Sequence, residues 1–190
     1  MFYSNKLKKI KQIKHCFFSK NNGFSKGIYK SLNCGKGSKD NKNNINKNLD
    51  FVAKKMGVKK NKLVLMHQTH SDKVVEINKF NYQNKINADA IITKMNSVAI
   101  GVLTADCVPI IICDVRNKII GCIHAGWKGA FAGIINNTIK KVKKLNSSNK
   151  IYASVGPCIG EKIMKLTTNF MISLCQNLGR IKFILNIKIN

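Results

Sequence analysis

Ile45, Leu49, Val52 and Met56 recur at the spacing of one helical face, with lysines and asparagines between them. That period predicts an amphipathic helix over residues 40–56, with Asp40 placed to cap its start and Gly57 to end it. Downstream the pattern shortens. Residues 63–66, 73–77, 89–93, 98–104, 108–113 and 119–124 are strand-length runs rich in Val and Ile. Residues 13–19 read as an earlier strand and 151–155 as a later one. Residues 127–145 read as a second helix, closed by a lysine cluster that suits the negative end of its dipole. Residues 21–37 carry several glycines with Ser and Asn and read as turns. Strands in the middle with helices on either side predict a single α/β (α+β) domain, a layered sandwich with a mixed sheet.

A length of 190 residues with 44% apolar content is enough for one substantial core. No apolar run approaches the length of a membrane span, and the lysine-rich start has no apolar signal region, so a cytoplasmic protein is expected. In that reducing compartment the seven cysteines are read as buried, catalytic or metal-bound rather than paired. The formal charge of +26 raises nucleic-acid binding as a possibility. Against it, Arg116 and Arg180 are the only arginines and the lysines are scattered among Asn and Ile. That is the mark of AT-rich codons more than of a built phosphate surface. Neither nucleic acid nor membrane is expected as a partner, although the charge suits a phosphate-bearing substrate.

Three short segments carry the chemistry: His67-Gln68-Thr69-His70-Ser71 after a strand, Thr104-Ala105-Asp106-Cys107-Val108-Pro109 between two strands, and His124-Ala125-Gly126-Trp127-Lys128-Gly129 at a strand end. Together they supply imidazoles and a thiolate, the donors that a transition metal such as zinc prefers. Three protein ligands with a fourth position open is the layout of a catalytic zinc site. The compact spacings that would mark such a site from sequence are absent, so the fold must bring the ligands together. Cys113 and Cys122 read as small buried residues, and His15 as an ordinary hydrogen-bonded histidine.

These segments resemble the laccase-domain family, named multicopper polyphenol oxidases in older usage and also purine nucleoside phosphorylases. Its members include a bacterial peptidoglycan-editing factor and a human laccase-domain protein of macrophages. The shared motifs are Gln68-Thr69-His70, residues 104–109, residues 124–129 and Gly156-Pro157-Cys158-Ile159-Gly160, preceded by Gly23-Phe24-Ser25 and Tyr29-Lys30-Ser31-Leu32-Asn33. The resemblance implies that His70, Cys107 and His124 are the catalytic metal ligands, with His67 outside the triad. It implies zinc as cofactor, with copper as the alternative. The implied activity is phosphorolysis of adenosine, inosine and methylthioadenosine to free base and ribose 1-phosphate, together with adenosine deamination. Purine nucleosides and phosphate are then the partners. Lys20, Asn33, Asp106 and Lys128 are the implied substrate-binding residues. Asp106 either orients a ligand, shuttles a proton or serves the turn. The competing functions are a copper polyphenol oxidase, a hydrolase that edits peptidoglycan precursors, and an inactive truncated product.

The chain departs from the family at Lys20, where relatives have Arg, at Asn22, where they have Gly, and at Leu49, where Arg is common. A larger departure follows Gly160. Residues 1–160 read as the metal-binding catalytic domain, and 161–190 as a non-homologous tail that a frameshift would explain. One added A after Lys162, in AT-rich codons for residues 163–170, restores a family-like Asn-Tyr-Glu-Val segment. A gene sequence with other codons there overturns this hypothesis. The alternative is a genuine C-terminal helix, since Ile163, Leu166, Phe170 and Leu174 form a helix-like stripe.

Overall fold

Ser4 accepts the backbone N–H of Leu7 and so caps a single helical turn, α1 (Asn5–Lys8). The computed structural model describes residues 1–145, 148 and 150–160. The out-of-frame tail and the C-terminal helix considered above lie outside the described residues. No strand forms at 13–19. Phe17 bridges to Phe2 and the rest of that stretch has no ladder partner among the described residues.

The first long helix, α2 (Lys42–Met56), starts two residues later than the pattern suggested, because the cap is Asn41, whose Oδ1 accepts from Asn43 N and Asn44 N. Asp40 is instead held by Ser25 Oγ and Asn33 Nδ2. Gly57 ends the helix at φ 80. Ile45 and Leu49 bury the apolar stripe, so Leu49 is a core residue here.

The strands are β1 (Leu63–Leu65), β2 (Val74–Ile77), β3 (Ala90–Thr93), β4 (Ala99–Gly101), β5 (Val108–Asp114), β6 (Ile119–Ala125) and β7 (Tyr152–Val155). β1 and β4 pair in parallel as a small sheet. The larger sheet has the order β2-β3-β6-β5-β7, with β2 parallel to β3 and the other pairs antiparallel. The single helix expected at 127–145 is two, α3 (Trp127–Ala132) and α4 (Ile134–Lys144), because Gly133 sits at φ 97 and turns the chain between them.

Both faces of β3 are covered, which is why its four residues are all apolar or buried. Ala90 and Ile92 join Ile110, Ile112, Ile119, Ile123, Ile134 and Val142 in the core under α4. Ile91 faces the other way, into Val64, Met66, Ile77 and Ile86. A third cluster packs Ile45 and Leu49 of α2 with Leu63, Leu65 and Leu103. The result is a mixed α/β domain with mixed sheets and flanking helices. Among the described residues, no helix is long and apolar enough to cross a membrane.

Candidate metal centre

Strand register builds the site. β5 and β6 run antiparallel with Val108 opposite Ala125 and Pro109 opposite His124, so Cys107, just before β5, and His124 lie at one end of the central strands. β3 pairs with β6 so that Ala90 faces Ile123, and His124 N donates to Asp89 O at 2.7 Å. On the other side of β3, Asp89 N and Ala90 N both donate to Lys73 O, which draws the 69–73 segment to the same end of the sheet. Gln68 ties that segment to the approach to Cys107: its Nε2 donates to Leu103 O and its Oε1 accepts from Leu103 N, at 2.7 and 2.8 Å.

The three side chains meet there. One donor atom each from His70, Cys107 and His124 lies within 4.8 Å of the others. Cys107 Sγ is 3.8 Å from His70 Nε2. The two imidazole rings stand edge to face, with centroids 4.8 Å apart and planes at 82°. His124 is buried, Cys107 half-buried and His70 exposed, so the group is rooted in the sheet and open on one side. Two imidazoles and a sulfur, convergent and open on one side, fit a borderline metal ion with an exchangeable position. Burial, then the charges of Asp106 and Asp89, push the Cys107 thiol up, so metal uptake must release its proton.

Asp89, to which the sequence reading assigned nothing, underlies the cluster. It is fully buried. Its Oδ1 lies 2.8 Å from His124 Nδ1 and accepts from His70 N at 3.0 Å. Its Oδ2 accepts from Ser71 N, Ser71 Oγ, Thr69 N and Thr69 Oγ1 at 2.8, 2.7, 3.2 and 3.2 Å. Burial alone would push its carboxyl up. The hydrogen bonds from His124, Ser71 and Thr69 outweigh that and bring it down to about 2. One signal in the sequence pointed to it: a carboxylate set against the apolar run of β3, in a chain with only eight acidic residues.

Two glycines of the third segment let the parts approach. A Cβ on Gly126 would lie 2.7 Å from His70 Cδ2 and 3.2 Å from Cys107 Sγ. A Cβ on Gly129 would lie 2.6 Å from Ser71 O.

The remaining candidates are placed as follows. His67 is exposed, and its backbone bridges Asn87. Asp106 is exposed beside Cys107. Lys128 is exposed, with its Nζ 5.4 Å from the Trp127 ring centre. Lys20 is exposed, and its carbonyl accepts from Ser31 N, Ser31 Oγ and Leu32 N. Asn33 spends its amide on Ser38, Asp40 and Gly35. Asn22 takes φ 69, a left-handed position that Asn tolerates in place of Gly.

A family model described as multi-copper polyphenol oxidoreductase laccase matches residues 14–186. The chain belongs to this laccase family. Within the family it is 31% identical over 147 residues to a purine nucleoside phosphorylase of Corynebacterium glutamicum, covering 76% of this chain and 60% of that protein. It is 29% identical over 163 residues to a purine nucleoside phosphorylase of Bacteroides thetaiotaomicron, covering 80% and 60%. The chain thus spans about 60% of the length of these curated relatives. Among solved structures it resembles YlmD of Geobacillus stearothermophilus, with TM-score 0.75 and 25% identity, over 83% of this chain and 62% of that one. It also resembles the hypothetical protein YfiH of Bacillus licheniformis, with TM-score 0.75 and 26% identity, over 90% and 64%. Family membership and the His-Cys-His cluster together suggest metal binding.

Proposed function

We propose that this chain carries the metal centre of a zinc-dependent purine nucleoside phosphorylase, with His70, Cys107 and His124 as the zinc ligands. One observation carries the reading: the convergence of two imidazoles and a thiol within 4.8 Å, in a chain whose curated relatives bear that enzyme's name. Zinc is favoured over copper because three mixed N/S donors with one open side are the usual catalytic zinc layout. When bound, the metal supplies a Lewis acid at that open side.

The substrates proposed are adenosine, inosine and methylthioadenosine with inorganic phosphate, giving free base and ribose 1-phosphate. Phosphorolysis builds positive charge on the ribose at C1′ as the base leaves, and phosphate must be held near that carbon. Lys128, two residues beyond the close approach at Gly126, and Lys20 are the proposed phosphate-binding cations. Asp106 is the exposed carboxylate beside Cys107 and is proposed to move a proton. Asn33 is proposed to act indirectly, by shaping the loop that carries Lys20. Deamination of adenosine is proposed as a second activity of the same pocket. The site is proposed to work in the cytoplasm, where the Cys107 thiol stays reduced.

The family description favours one second reading, a copper-dependent oxidase of phenols. A multicopper enzyme needs many histidines, and this chain has four. The deciding experiment incubates the chain with adenosine or inosine, with and without phosphate, and separates the products, with Cys107→Ala alongside. Phosphate-dependent release of adenine or hypoxanthine, lost in the variant, supports the proposal. A folded, zinc-loaded chain that oxidises phenols or turns over no nucleoside overturns it.

A further inference from the structure

Two of the three proposed ligands share a support that is not itself a ligand. His124 reaches the cluster through its ring and His70 through its backbone, and both rest on the same carboxylate. The geometry points to Asp89 as a positioning residue of the metal centre: it fixes His124 with Nε2 free to bind, and it holds the turn that presents His70. This rests on the metal-centre reading above.

The chemistry is one-sided. An ionised carboxylate only accepts hydrogen bonds. With Asp89 Oδ1 2.8 Å away, His124 Nδ1 must therefore carry the proton, so Nε2 is the ring nitrogen left to bind a metal. His70 sits at φ 56, in the left-handed region that few residues other than glycine occupy. Three consecutive backbone N–H groups, of Thr69, His70 and Ser71, point at Asp89, and the hydroxyls of Thr69 and Ser71 add to them. A left-handed residue flanked by N–H groups gathered on one anion is a turn that the anion holds together. Nothing else among the hydrogen bonds of the described residues gathers these three N–H groups.

Asparagine at 89 preserves shape but not chemistry. Its amide has one accepting end. If the NH2 faces Thr69 and Ser71, it meets donors with a donor. If it faces His124, the imidazole must give up its Nδ1 proton, and the proton moves to Nε2, the atom offered to the metal. Either way one ligand is misplaced.

The test measures Zn(II) affinity by chelator competition on the full chain, and the Co(II) spectrum, whose thiolate charge-transfer band reports Cys107. Asp89→Asn is expected to fold, to bind Zn(II) about 10- to 100-fold more weakly and to change the Co(II) ligand-field bands. Asp114→Asn, which alters another buried, multiply hydrogen-bonded carboxylate away from the cluster, is expected to leave affinity and spectrum unchanged. Wild-type affinity and spectrum in Asp89→Asn overturn the inference. A second readout needs no variant: nitrogen NMR of the zinc-loaded wild type is expected to show His124 protonated on Nδ1, and protonation on Nε2 overturns it. A wild-type chain that binds no Zn(II) overturns the metal-centre reading itself, and this inference with it.

Discussion

Gly126 lies so close to His70 that a methyl group on its Cα would come within 2.7 Å of the imidazole Cδ2. The backbone at Gly126 is ordinary, φ −68 and ψ 159, so any residue could adopt it. The requirement for glycine there is purely one of space. Gly126→Ala is expected to leave the fold in place, at a cost of about 1–3 kcal/mol for overpacking. Because the extra methyl pushes the His70 ring, Zn(II) binding is expected to weaken about tenfold or more, by chelator competition. Unchanged affinity would show that the ring has room to move.

Zinc itself is expected to stabilise the folded chain. An ion that binds the native state and not the unfolded one adds about 4 kcal/mol at a free concentration a thousand times its Kd. Thermal melts with Zn(II) and with chelator should therefore separate. The separation should vanish in Cys107→Ala and in His124→Ala, while the chelated melts of all three remain similar in shape. Equal melts for wild type with and without Zn(II) would refute tight binding.

The loop that carries Lys20 and Asn33 is expected to depend on a residue outside it. Asn48 is fully buried. It accepts from Phe24 N and donates to Ser25 Oγ and to the carbonyls of Ser31 and Asn33. Asn48→Ala leaves Phe24 N–H and the Asn33 carbonyl without this partner, while the Ser31 carbonyl keeps Ser25 N. A loss of about 2–4 kcal/mol in urea unfolding is expected, with the proposed nucleoside turnover falling as the loop loosens. A loss under 1 kcal/mol would mean that water replaces the amide.

Asp114 sets an acid limit on stability. Burial pushes its carboxyl up, but hydrogen bonds from the side chains and backbones of Asn117 and Ser148 bring it down to about 2, below the ordinary 3.8. The depressed value means that the ionised form favours the folded state. Its contribution is complete above about pH 4 and disappears as the pH falls towards 2. Urea midpoints between pH 5 and pH 2 should drop, and drop less steeply in Asp114→Asn. Parallel curves for the two proteins would assign the acid loss elsewhere, with Asp89 the first candidate.

The sequence displayed the elements whose pattern is local. The stripe of Ile45, Leu49, Val52 and Met56 is a property of one helix, and α2 formed within two residues of the expected span. Residues 13–19 show why strands are harder. Alternation marks an extended segment, but a strand also needs a neighbour, and among the described residues Phe17 bridges only Phe2. The second helix broke at Gly133 because its apolar period continues through a residue whose backbone does not. The imidazoles and thiol of the cluster were visible as residue types. Asp89 was hard to single out because five of the groups that bond its carboxylate lie in the 69–71 turn and three are backbone N–H groups, which leave no trace in residue identity.

The registers of β3, β5 and β6 carry one further consequence. More than fifty residues separate His70 from His124, and closing a loop of that length costs about 3–4 kcal/mol in chain entropy. The strand pairing helps to meet that cost, since Ala90 opposite Ile123 and Pro109 opposite His124 bring the donors together. An ion held there would be a noncovalent staple across three chain segments that the sequence keeps far apart.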